Sequence, residues 1–160
     1  MIQLLLLAAT AFAALLQVGV LPTMFTQPAA APLLPIGLFA AWGLVREPSE
    51  VAPSAILAAV LVGVASEDRV GWILLALLPT AALLVGARLA PNSGVARAPV
   101  VAGIGAVLYL LTLLIGAGAG RTLVAVAPAV LASAVGTAIL ALVAALLLRP
   151  LRARPGGLFE

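Results

Sequence analysis

The sequence predicts an all-α membrane protein, a compact bundle of six transmembrane helices with short loops and both termini in the cytoplasm. Three observations carry this expectation. Apolar residues make up 65% of the chain and charged residues 8%, whereas a soluble domain averages roughly 45–50% and 25%. Charges and prolines cut the chain into apolar runs near the ~17–25 residues that a bilayer-crossing helix needs. The arginines, finally, are divided unevenly between the turns. Six helices of ~20 residues would leave only about 40 of the chain for loops and tails, so a soluble monomer is excluded.

The first run, Ile2 to Leu21, is interrupted only by Gln3, Thr10, Gln17 and Gly19 and stops at Pro22. It lacks the basic start and short apolar stretch of a secretory signal, so it is expected to be an uncleaved anchor. A proline-punctuated loop, Thr23 to Pro32, follows. The second run, about Pro32 to Val45, and the third, Val51 to Ser66, are both short and flank Arg46-Glu47-Pro48-Ser49-Glu50. A re-entrant hairpin would bury those charges at ~2.5–3.5 kcal/mol each. Two full spans around a wetted turn are therefore expected, with neighbouring helices or local thinning absorbing the mismatch.

Ser66 to Arg69 makes the next turn. Span four runs from Val70 to Leu89 with Pro79 inside, where a kink is expected. Span five covers Pro99 to Ile115 and ends in the glycine-rich Gly116 to Gly120; span six covers Thr122 to Leu148, with Pro128 near its start. Residues 1–148 thus form one transmembrane domain, and 149–160 a short basic tail, expected to be mostly unstructured.

Orientation follows from the arginines, because basic short loops stay in the cytoplasm. Cytoplasmic termini place Arg46, Arg88, Arg97, Arg149, Arg152 and Arg154 inside as inner-face anchors, and Arg69 and Arg121 outside.

Composition also removes chemistry. The chain has no Cys and no His, which excludes disulfides, His- or Cys-ligated metals and Ser-His or Cys-His catalysis. All eight basic residues are Arg, so neither a Schiff-base lysine nor the lysine of a phosphate-binding loop exists here. A net charge of +3 is too small for a nucleic-acid footprint. The five carboxylates, Glu47, Glu50, Glu67, Asp68 and Glu160, all fall in turns or the tail. Proton and sodium pathways usually show ionisable groups at membrane depth, so a pump, proton-driven carrier or ion channel is disfavoured. No cofactor and no catalytic residue are expected.

Gln17 reads as packing glue between helices, or as a ligand contact. Trp42 and Trp72 read as interfacial anchors. Small residues recur at spacing four: Ala9 and Ala13, Ala59 and Gly63, Ala82 and Gly86, and Ala129, Ser133, Thr137 and Ala141. Such faces let helix backbones approach closely, inside the bundle or against a partner. Ala9, Ala13, Ala129, Ser133, Thr137 and Ala141 are the candidate partner-binding residues.

The chain also resembles MreD, the bacterial rod shape-determining membrane protein family. Gln17 with Leu21-Pro22 is similar to the end of that family's first span, and Pro32-Leu33-Leu34 to its proline-led second. Val45-Arg46-Glu47 resembles its basic turn, Gly63 with Asp68 the close of the third span, and Gly86, Arg88 and Leu89 the end of the fourth. The likeness covers about Gln17 to Leu89, and Leu33 stands where the family often has an acid. The resemblance implies a non-catalytic scaffold of the bacterial inner membrane. Its partners would be membrane lipid, an MreC-like protein and the elongation-complex proteins that couple the MreB filament to wall synthesis. That fold is in turn similar to the substrate-binding S components of energy-coupling-factor vitamin transporters, and Ala9 and Ala13 resemble their docking motif. An accessory subunit of a large membrane complex is a third reading.

Overall fold

The computed structural model describes residues 2–66, 69–89, 95–118 and 123–151. Its helices are α1 (Ile2–Gly19), α2 (Leu21–Met24), α3 (Leu34–Val45), α4 (Val51–Ala65), α5 (Val70–Leu89), α6 (Ala98–Gly116) and α7 (Leu123–Leu148). Short 3-10 turns occupy Pro28–Ala30, Pro48–Glu50, Val95–Arg97 and Arg149–Leu151, and no strand occurs among the described residues. The result is an all-α bundle. Five segments, ending in α3, α4, α5, α6 and α7, are long and apolar enough to cross a membrane, and α1 is apolar but shorter.

Proline and glycine set the boundaries. The first run was expected to continue to Leu21, but α1 stops at Gly19. Pro22 has no N–H, and its ring would strike the carbonyl four residues back, so it opens α2 instead. Pro35 and Pro99 sit in the first turns of α3 and α6, where a missing N–H costs no bond. Gly118, with φ 70°, follows α6 in a left-handed conformation that glycine adopts freely.

The short α3 is the axis of the bundle. It packs on α1, α4, α5, α6 and α7, and Pro35, Ile36, Gly37 and every residue from Phe39 to Val45 are buried. Its segment is 67% buried, against 28–33% for the four other candidate spans. A helix that is apolar all round belongs in a core, and α3 is that helix. Its twelve residues reach only ~18 Å, short of the ~30 Å hydrocarbon layer. Neighbouring helices surround it on all sides.

Close approach is possible because α3 and its neighbours carry small residues at the crossings. A Cβ on Gly37 would lie 3.4 Å from the Thr137 carbonyl oxygen of α7. On Gly105 of α6 it would lie 2.9 Å from the Thr80 side chain of α5.

Candidate functional site

The chain enters α3 through non-helical backbone that is nonetheless buried: Ala31 is 2% exposed and Leu33 8%. In hydrocarbon each backbone polar group there must find a protein partner. Two hydroxyls of α7 and one amide of α1 supply them. Ser133 Oγ donates to the Ala31 carbonyl at 2.7 Å. The Leu33 N–H donates to Thr137 Oγ1 at 2.8 Å, and that hydroxyl donates onward to the Ser133 carbonyl at 2.7 Å. The Leu34 N–H donates to Gln17 Oε1 at 2.9 Å. Together these bonds join α1, α3 and α7.

Ala129, Ser133, Thr137 and Ala141 are all buried. The α7 face read as a partner surface is therefore covered from within the chain, by α3 and the Pro28–Ala30 turn among others. Burial is its physical reason: Ser133 and Thr137 satisfy backbone that would otherwise stand bare in lipid. On α1, Ala13 is buried and Ala9 half-buried, on a helix packed mainly against α4 and α3. Gln17 acts as the glue that the sequence indicated, although its acceptor role toward a backbone N–H at the head of α3 carries no sequence signal.

Beside this joint lies a cavity of ≈ 30 Å³ whose walls include Gln17, Leu33, Ile36, Ile73, Leu77 and Tyr109. That is room for about one water. Ser, Thr and Gln side chains carry no proton that titrates near neutrality, so the joint holds backbone in place and offers no acid–base pair.

A second polar locus closes the opposite end of α3. Arg46 pairs with Glu50 at 3.0 Å across the turn. Glu50 Oε2 also accepts the Trp42 indole N–H at 2.7 Å. Trp42 is 1% exposed, so it is a core residue and not the interfacial anchor expected; burying an indole requires such an acceptor. Trp72 is 40% exposed.

Arginines cap helix ends here. Arg88 Nη1 donates to the Leu44 carbonyl at 2.9 Å, and Arg97 Nη1 to the Ala87 carbonyl at 3.2 Å. Arg46 Nη1 reaches the Leu151 carbonyl, just past α7, at 3.2 Å. The last carbonyls of a helix lack intrahelical partners and carry partial negative charge, and the guanidinium groups answer both needs. These contacts gather Arg46, Arg88 and Arg97 at one end of the bundle, with Arg149 in the turn after α7. Arg69 stands at the other end, before α5. Arg121, Arg152, Arg154, Glu67, Asp68 and Glu160 lie outside the described residues.

Two larger hollows open on the surface. One, of ≈ 650 Å³, lies near Arg69, Trp72 and Gly116. The other, of ≈ 750 Å³, runs between α5 and α6. Among the described residues no group of His, Cys, Asp and Glu converges as metal ligands would. No protein-family model, curated protein or solved structure matches the chain.

Proposed function

We propose that the chain is a non-catalytic scaffold of the bacterial inner membrane, with six spans and both termini cytoplasmic. In this reading it serves the cell-elongation machinery, binding an MreC-like protein and linking the cytoskeleton to peptidoglycan synthesis. The observation that carries the proposal is the occupied interior. α3 fills the centre, the cavity beside it holds about one water, and small-molecule sites run to ~300–1,000 Å³. The joint hydroxyls bond to the chain's own backbone, so they are not arranged toward a transported solute. The MreD-like residues from Gln17 to Leu89 support the choice of machinery.

The opposing reading, a vitamin-binding S component, is favoured by one feature. The hollow beside Arg69 and Trp72 has the volume of a ligand pocket. Purification in mild detergent, followed by identification of what co-migrates, separates the two. An MreC-like protein or wall synthases support the scaffold; an ATPase pair with a coupling subunit supports the transporter. Sub-micromolar binding of a vitamin by the isolated chain overturns the scaffold.

A further inference from the structure

Two helices of the bundle, α3 and α4, are short, and they differ in what surrounds them. α3 is enclosed by its neighbours, with nearly every residue buried. α4 packs mainly on α1 and α5 and leaves one side bare. Ser54, Ala58, Ala59 and Gly63 face inward. Ala52, Pro53, Ile56, Val60 and Val64 are exposed along the other side, from the first turn to the last.

Length decides what that bare side demands. The 15 residues of α4 rise about 22 Å, against a hydrocarbon layer of ~30 Å. α1, α5, α6 and α7, with 18, 20, 19 and 26 residues, reach about 27 to 39 Å. A long helix lowers its apolar height by tilting, whereas a short one has no means of raising it, so the bilayer thins beside it.

Charge fixes both ends of α4. Glu50 is its N-cap, and the Pro48–Glu50 turn before it lengthens the segment only as far as that acid. The paired Arg46 and Glu50 side chains stay 19% and 23% exposed. They are not sealed from what surrounds the bundle, so hydrocarbon cannot close over them without a heavy penalty. Past Ala65 the chain continues as Ser66, Glu67, Asp68 and Arg69. A mismatch of about 8 Å therefore falls on the lipid at this face.

We propose that the exposed side of α4 thins the bilayer locally to about 22 Å and gathers phospholipids with short acyl chains along Ile56, Val60 and Val64. The proposal rests on α4 crossing the membrane and is independent of the scaffold role.

The chain has no Cys, so Val60→Cys and Ile139→Cys each accept a single bimane label, near the middle of α4 and α7 at residues 41% and 57% exposed. The full chain is reconstituted in phosphatidylcholine with eighteen-carbon chains, and brominated phosphatidylcholines with fourteen- or eighteen-carbon chains are compared as quenchers. At position 60 the fourteen-carbon lipid should be enriched several-fold over the eighteen-carbon one. At position 139, on the longest helix, it should not be. Equal enrichment at the two positions, or preference for the eighteen-carbon lipid at position 60, overturns the proposal. If Val60→Cys unfolds, Ile56→Cys repeats the measurement one turn earlier. Impermeant-maleimide labelling of cysteines at positions 47 and 68 separates the two ways of failing. Labelling of both from one side removes α4 as a crossing and this proposal with it; labelling from opposite sides without short-chain enrichment overturns the thinning alone.

Discussion

The Leu33 N–H and the Thr137 hydroxyl meet at 2.8 Å although 104 positions separate them in sequence. The bond satisfies a donor that no helix could, because Leu33 has extended backbone just before α3 begins. Thr137→Val keeps the shape and removes the acceptor, leaving a buried N–H bare at a cost of ~1–3 kcal/mol in water-soluble proteins. Membrane interiors show smaller values, averaging ~0.6 kcal/mol. A loss of about 1 kcal/mol is expected in reversible unfolding from detergent, with Thr137→Ser close to the unaltered chain. Equal stability of the Val and Ser variants would mean that the bond contributes nothing.

What the sequence reveals about this joint is instructive. The Ser133 and Thr137 spacing marks a close-packing face, but its counterpart is a proline-flanked loop that hydropathy cannot locate in space. The spans themselves are legible because lipid demands long apolar runs: α5 covers Val70–Leu89 as read, and α6 and α7 begin or end within one residue. The central place of α3 is not legible. Lipid and protein core are equally apolar, so no polar stripe distinguishes a helix facing one from a helix facing the other. The gathering of arginines at one end of the bundle is legible from the loops that hold them, yet their capping of Leu44, Ala87 and Leu151 depends on where three helix ends converge. The burial of Trp42 is not legible for a similar reason, since its acceptor Glu50 lies across a turn.

The α5–α6 crossing makes a prediction that changes sign. Gly105 sits where a Cβ would come within 2.9 Å of Thr80 Cγ2 and Oγ1. Gly105→Ala therefore overpacks the crossing, typically by ~1–3 kcal/mol, against a helix-propensity gain of ~1 kcal/mol. A net loss is expected. Thr80→Ala removes both of those atoms, and in that background the same substitution should become neutral or stabilising. A double-mutant cycle measured by thermal unfolding reads the coupling directly; additive effects would place the conflict elsewhere.

Among the described residues two hydroxyls are buried without a hydrogen-bond partner, Thr10 Oγ1 on α1 and Ser54 Oγ on α4. Both residues are 0% exposed. Each retains the desolvation cost of a polar group and recovers none of it. Ser54→Ala and Thr10→Val should thus leave stability unchanged or raise it by about 1 kcal/mol. Destabilisation of either variant by more than about 1 kcal/mol would show that the hydroxyl has a partner.

The orientation proposed here is tested most directly at positions 47 and 68. The chain contains no Cys, so Glu47→Cys and Asp68→Cys each give a single labelling site. Position 47 follows α3 at the end where Arg46, Arg88 and Arg97 gather, while position 68 adjoins Arg69, before α5. Short loops with an excess of Arg stay cytoplasmic, and the segment Pro48–Ala65 between the two turns is long and apolar enough to cross a membrane. In spheroplasts, an impermeant maleimide should label position 68 at once and position 47 only after permeabilisation. The reverse pattern would invert the bundle and move its arginine end to the outer face. Labelling of both from one side would remove α4 as a crossing, leaving α3 and α4 as the re-entrant pair that the charges in their turn argue against.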